Sequence, residues 1–230
     1  MREIVLDTET TGMDPASGDR IVEIGCVELE NHVPTGKHLH LYLNPERDVP
    51  AEAVAVHGLT AEFLAKHPTF AEVVDQFVNF IGDDMLIIHN ADFDVKFLNA
   101  ELRTLGFPSI NMKRVTDTVM MARRKFPGSP ANLDALCRRF NIDLSARTLH
   151  GALLDSELLA EVYLELLGGR QHGMEFAAHP AQQIVTEEIT IQVTERIVRE
   201  PRPHAPLPEE MAAHLAMIEK LTDALWKKAS

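Results

Sequence analysis

Ile4-Val5-Leu6-Asp7-Thr8-Glu9-Thr10-Thr11-Gly12 opens the chain as an apolar run that ends in two acids and a glycine turn. The run predicts a strand, and side chains two apart on a strand share a face. Asp7 and Glu9 therefore present two carboxylates together at the end of an otherwise apolar element. Two unpaired negative charges side by side repel and are costly to desolvate, so a fold that places them there supplies a compensating cation. A divalent metal is the natural one. The alternative is a polar end on an exposed edge strand, and this segment alone does not decide between them.

Working outward, Arg20 to Glu28 and His38 to Leu43 alternate as two further strands. Their connections are too short for crossover helices, which predicts an antiparallel meander for the first three strands. Thr69 and Glu72 form a capping box ahead of Phe70, Val73, Val74, Phe77, Val78 and Ile81, spaced for a helix with one buried face. That crossover leads to a fourth strand, Met85-Leu86-Ile87-Ile88. A short fifth strand lies within Lys113 to Thr118, followed by a helix that stops before Pro127-Gly128-Ser129-Pro130. The next helix carries Leu133, Leu136, Cys137 and Phe140 on one face.

Acids recur where such a fold places its ligand crevice, at strand-to-helix junctions. His89-Asn90-Ala91-Asp92-Phe93-Asp94 follows the fourth strand directly. Asp92 and Asp94 are both candidates, but residues two apart on a helix diverge, so one of them faces the site. Asp117 and Asp134 read as helix-start acids. His150-Gly151-Ala152-Leu153-Leu154-Asp155 opens an apolar helix closed by Gly168-Gly169. Positions five apart on a helix diverge by about 140°, so His150 belongs to the loop before the helix, free to swing, while Asp155 is fixed on its first turns.

The 230-residue chain has average apolar content, which predicts a folded α/β domain with an appendage. Its N-terminus lacks a signal-peptide pattern, and its apolar runs are too short for a membrane span, which together predict a cytoplasmic protein. Cys26 and Cys137 sit in apolar-periodic segments and read as buried free thiols. The net charge of −13 argues against unaided nucleic-acid binding. Between Lys96 and Arg147, however, ten Lys/Arg stand against four acids, enough for a phosphate-facing surface. Gly-rich phosphate loops, a GxSxG elbow and CxxC pairs are absent.

Composition shifts after Gly169. Residues 1–169 form the predicted globular domain, 170–208 a linker that stiffens at Pro201 to Pro208, and 209–230 an amphipathic helix. Met211, Leu215, Ile218, Leu221 and Leu225 line one stripe of that helix, with Trp226 near its close. A helix of this kind is marginal alone and must bury its apolar face.

Taken together, Asp7-Thr8-Glu9, Asp94 in HNADFD, and His150 with Asp155 in HGALLD resemble the three motifs of the DEDD superfamily of 3′–5′ exonucleases. The histidine five residues before the last aspartate matches the DEDDh subclass. DTETTGMD, VHGLT, IHNADFD, LDALCRRF and TLHGALLDSELLAEVYL are similar to the family of proofreading epsilon subunits of bacterial DNA polymerase III. That resemblance implies an RNase H-like fold, a mixed five-stranded sheet with flanking helices, followed by a flexible C-terminal tail. It implies metal-dependent removal of nucleotides from DNA 3′ ends with two divalent ions, Mg2+ or Mn2+. Asp7 would bridge the ions, Glu9 and Asp155 would bind the one carrying the attacking water, and Asp94 would hold the other. His150 would be the general base. Thr8, Met13 and His57, with Gly58 and Leu59, would surround the terminal nucleotide. Gln171, Met174 and Phe176 in QHGMEF resemble a sliding-clamp motif. The last helix, through Leu215, Ile218, Leu225 and Trp226, would bind the polymerase catalytic (alpha) subunit. The competing readings are an RNA-trimming DEDDh relative and a non-catalytic adaptor between polymerase and clamp.

Overall fold

β1 (Arg2–Thr10) occupies the middle of a five-stranded sheet in the computed structural model, which describes residues 1–145, 147, 149–169 and 206–220. Ile4, Val5 and Leu6 are fully buried, as the near-continuous apolar run of a strand covered on both faces requires. β2 (Ile21–Glu30) and β3 (Val33–Tyr42) complete the expected antiparallel meander on one side. β4 (Met85–Ile88) and β5 (Val115–Asp117) pair in parallel on the other, giving the order β3-β2-β1-β4-β5. The five-stranded mixed sheet and its flanking helices are those expected of an RNase H-like fold.

The alternation of β1 sorts the two helical layers. Ile4 and Leu6 join the core that contains Phe70, Phe77, Phe97 and Leu98, whereas Val5 joins the core that contains Leu136, Leu159 and Val162. Two short helices precede the first layer, α1 (Ala51–His57) and α2 (Ala61–Leu64). α3 (Phe70–Ile81) begins at the expected capping box, with Glu72 accepting the Thr69 N–H at 2.7 Å. α4 (Ala91–Thr104) follows β4 directly. The opposite layer holds α5 (Thr118–Lys125), α6 (Leu133–Phe140) and α7 (Ala152–Leu167). Cys26 and Cys137 are buried free thiols, one in each core, and desolvation raises both, Cys137 to about 11.

α1 and α2, of seven and four residues, are too short for a helical apolar period to show in the sequence. α1 begins behind Pro50 with no side-chain cap and ends at the left-handed Gly58 (φ 77°), whereas Thr60 caps α2 by accepting from Phe63 N–H at 3.3 Å.

The chain divides into two units, Met1–Phe176 and Ala177–Ser230. In the second, α8 (Pro208–Lys220) realises the described part of the expected terminal helix, with Met211, Leu215 and Met217 exposed and Ile218 buried. Gln171, Met174, Phe176, Leu225 and Trp226 lie outside the described residues. Among the described residues, no helix is long and apolar enough to cross a membrane.

Candidate active site

Asp155 reaches β1 because β2 has no side chain where α7 crosses it. Gly25 pairs across the strand from Asp7, and a Cβ there would lie 2.2 Å from the backbone of Ala152. The first turn of α7 therefore rests directly on the sheet, tied by Ser156 Oγ donating to Gly25 O at 3.0 Å. Asp155, buried in that turn, faces the side of β1 that carries Asp7 and Glu9. A glycine interrupting an apolar strand signals such a close approach, and Gly25, outside the acidic motifs, sets how near α7 comes to Asp7.

Asp94 arrives from the other layer. Asn90 takes a left-handed conformation (φ 66°) at the turn between β4 and α4, a geometry asparagine tolerates. Neither Asp92 nor Asp94 occupies the cap position. Asp92 is exposed and Asp94 is buried, which resolves the choice between them. Thr8 fixes Asp94 twice, its backbone N–H and its hydroxyl both donating to Oδ1, at 3.0 and 2.7 Å.

His150 precedes α7 on the loop, as expected, but it is tethered. Its backbone N–H donates to Val56 O at 3.1 Å, and its Nδ1 lies 2.9 Å from Arg147 Nη2 and 3.4 Å from Asp155 Oδ2. Arg147 also donates to both oxygens of Asp155, at 2.6 and 2.7 Å, and is paired with Asp134. Asp134 lies in the first turn of α6, as expected, with this second role added, while Asp117 caps α5 by accepting from Val119 N–H at 2.7 Å.

Burial and mutual repulsion dominate the electrostatics. Desolvation, then the neighbouring Asp94, Glu9, Asp155 and Glu23, hold Asp7 well above the usual carboxylate range. Desolvation and the charges of Asp155, Glu23 and Asp94 raise Glu9 to about 8. Desolvation raises Asp94 to about 7 against the two Thr8 bonds. Like charges forced into one buried place mark a cation site. One donor atom each from Glu9, His150 and Asp155 lies within 4.8 Å of the others, so hard oxygen donors fit a divalent ion here.

Two clefts meet at β1. One, of about 400 Å³, includes Asp7, His89, Asn132, Asp134, Arg138, Arg147, His150 and Asp155. The other, of about 480 Å³ and mainly apolar, includes Thr8, Glu9, Met13, Val56, His57 and Phe93. Met13 is 77% exposed at its rim, whereas His57 is buried, its Nδ1 accepting from Leu59 N–H at 3.0 Å. The basic block from Lys96 to Arg147 is partly structural: Lys125 Nζ caps the carbonyls of Glu165 and Leu166, Arg114 donates to Ile81 O and Asp84 O, and Arg139 stacks on Phe126. Arg138 lines the acidic cleft, and Arg123 lines an adjoining groove that shares His89 and Asn132.

Residues 4–163 match the exonuclease family. Solved structures with the same fold include Exonuclease X in complex with 5′ overhanging duplex DNA, at 24% identity and TM-score 0.58, covering 72% of this chain and 90% of that one. The nuclease domain of 3′hExo, a DEDDh family member bound to rAMP, aligns at 18% identity and TM-score 0.60, covering 72% and 91%. Asp7, Glu9, Asp94 and Asp155 lie close enough to repel one another on the matched sheet, with His150 beside Glu9 and Asp155, and the chain is a member of the exonuclease family. DNA polymerase III subunit epsilon of Rickettsia conorii (strain Malish 7) is 48% identical over 224 residues, covering 96% of each chain. That of Escherichia coli K12 is 46% identical over 237 residues, covering 98% of this chain and 97% of that one. The chain belongs to the epsilon subunits of bacterial DNA polymerase III, the proofreading 3′–5′ exonucleases.

Proposed function

We propose that Asp7, Glu9, Asp94 and Asp155 together hold two divalent ions, Mg2+ or Mn2+, and that His150 is the general base for hydrolysis of the last phosphodiester of a DNA 3′ end. The observation that carries this reading is the meeting of three sequence-distant motifs at the end of β1, with carboxylates raised as far as about 8 by burial and one another. Asp7 would be the ligand common to both ions, Glu9 and Asp155 would hold the one beside His150, and Asp94, oriented by Thr8, would hold the other. When bound, such ions supply positive charge to the attacking and leaving oxygens. His150 accepts a proton from the attacking water as its oxygen bonds to phosphorus. The bond from phosphorus to the 3′ oxygen breaks, that oxygen takes a proton from solvent water, His150 returns its proton to solvent, and a nucleoside 5′-monophosphate leaves.

The apolar cleft of Thr8, Met13, His57 and Phe93 receives the terminal nucleoside. A mispaired end unstacks at lower cost than a paired one, which favours excision of errors without reading sequence. Arg138 and Arg123 receive phosphates further along the strand. α8 docks its exposed Met211, Leu215 and Met217 on the polymerase catalytic (alpha) subunit, a groove-binding use of an amphipathic helix, with Ile218, Leu225 and Trp226 assigned to the same interface. Gln171, Met174 and Phe176 bind the sliding clamp.

Incubation of the purified chain and Mg2+ with 5′-labelled paired, mispaired and single-stranded DNA and RNA tests the reading. Stepwise shortening from the 3′ end, fastest on mispaired and single-stranded DNA and abolished by EDTA, is expected. Internal cleavage, or shortening that persists in EDTA, contradicts it. Truncation after Gly169 is expected to spare shortening and abolish capture by the alpha subunit; retained capture contradicts the assignment of α8.

A further inference from the structure

We propose that Arg147 is a positioning residue of this site: its guanidinium occupies Asp155 and His150 together and yields both when a divalent ion takes Asp155. The inference rests on the metal-site reading above. Arg147 is 9% exposed, and its planar fork meets Asp155 edge to edge, Nε donating to Oδ1 at 2.6 Å and Nη2 to Oδ2 at 2.7 Å. Both oxygens that Asp155 offers a metal are thus engaged by a fixed positive charge. A divalent ion and a guanidinium cannot share that carboxylate edge without direct cation–cation repulsion, so one displaces the other.

The same guanidinium controls the base. Nη2 lies 2.9 Å from His150 Nδ1, and a guanidinium can only donate. Nδ1 therefore contributes the lone pair, and the neutral ring carries its hydrogen on Nε2. Neither nitrogen of His150 is then free to accept a proton from water. Departure of Arg147 from Asp155 loosens its hold on Nδ1, because the single Nη2 serves both partners. Asp134 supplies the post that keeps Arg147 nearby: it binds Nη1, the nitrogen that touches neither Asp155 nor His150. Metal loading and release of the base become one event.

Two measurements on the full chain test this. In calorimetric titrations with Mn2+, Arg147→Gln is expected to bind at least ~10-fold more tightly than wild type, since a competing cation is gone. Its metal-free form is expected to melt at lower temperature, because Asp155 is left buried and unpaired. Arg147→Lys, which keeps the charge and loses the fork, is expected to fall between them. A residue that merely held the loop would give unchanged or weaker metal binding in both variants, which overturns the proposal. In wild type, the Arg147 Nε–H NMR signal is expected to shift and broaden as Mg2+ is added in proportion to site occupancy; a signal unmoved at saturation also overturns it. Absence of Mn2+ binding by wild type, or equal binding by Asp155→Asn, removes the metal site itself and is thereby distinguished from failure of the exchange.

Discussion

Thr8 holds Asp94 by two donors to a single oxygen, the backbone N–H at 3.0 Å and the hydroxyl at 2.7 Å, leaving Oδ2 of Asp94 outside that clamp. The residue between the two acids of β1 thus orients the third. Thr8→Val keeps the backbone bond and the β-branched shape and deletes the hydroxyl. A hydrogen bond to a charged group contributes roughly 1.5–3 kcal/mol, so kcat/KM is expected to fall on the order of 10- to 100-fold in a steady-state assay on a 3′-labelled oligonucleotide. Unchanged kcat/KM would assign Thr8 to packing alone.

Gly25 sets how closely α7 approaches Asp7. Gly25→Ala places a Cβ 2.2 Å from the α7 backbone, with no flexible side chain to give way. Overpacking of this kind costs roughly 1–3 kcal/mol and here lifts Asp155 from its partners. Loss of both melting temperature and exonuclease rate is expected, with the rate loss remaining under conditions where the variant is fully folded. A folded, fully active variant would show that the close approach is dispensable.

The raised carboxylates make the metal-free protein sensitive to base. Asp7, Glu9 (about 8) and Asp94 (about 7) hold protons in the native state that the unfolded chain has released by about pH 5. The native state binds more protons throughout that window, so its stability falls as pH rises from about 5 to about 8. Divalent ions replace those protons, so their binding releases protons and strengthens with pH over the same range. Melting curves in EDTA at pH 5.5, 7 and 8.5 are expected to fall in that order, and excess Mg2+ to remove most of the difference. A melting temperature in EDTA that rises across this range contradicts carboxylates that hold their protons in the native state.

Besides Arg147, which is engaged by Asp134 and Asp155, Arg138 lines the acidic cleft and Arg123 the groove beside it. Replacing either with alanine is expected to weaken binding of single-stranded DNA to a catalytically inactive chain and to reduce the slope of log K against log salt by about 0.7 for each phosphate no longer neutralised. Fluorescence anisotropy over a KCl series reads that slope; an unaltered slope in both variants would move the strand elsewhere.

Most of the sheet is legible in the sequence because β1, β2 and β4 carry uninterrupted or alternating apolar patterns, and α3 carries a capping box before a regular apolar stripe. The acids are legible as types and spacings, yet Asp92 and Asp94 separate only once α4 is placed, since burial distinguishes them. The loop position of His150 follows from its spacing to Asp155, but the freedom expected of it does not hold: its tethers come from Val56 and Arg147, and no local pattern encodes either. Arg147 itself reads as one more cation in a basic block, because its role depends on Asp134 and Asp155, which belong to different helices. α1 spans seven residues and lacks a side-chain N-cap, so its signals reduce to Glu52 in the first turn and the left-handed Gly58 at its end, which a turn shares.

Asp7, as the proposed metal ligand shared by both ions, bears the centre of the hydrolytic site, and Asp7→Asn tests that role most directly through activity and stability together. The substitution is nearly isosteric and removes a buried carboxylate held well above its usual range by desolvation and neighbouring acids. Stepwise 3′ shortening in Mg2+ is expected to be lost while the melting temperature in EDTA at pH 8 rises above wild type. Wild-type shortening rates in Asp7→Asn would contradict the shared-ligand assignment.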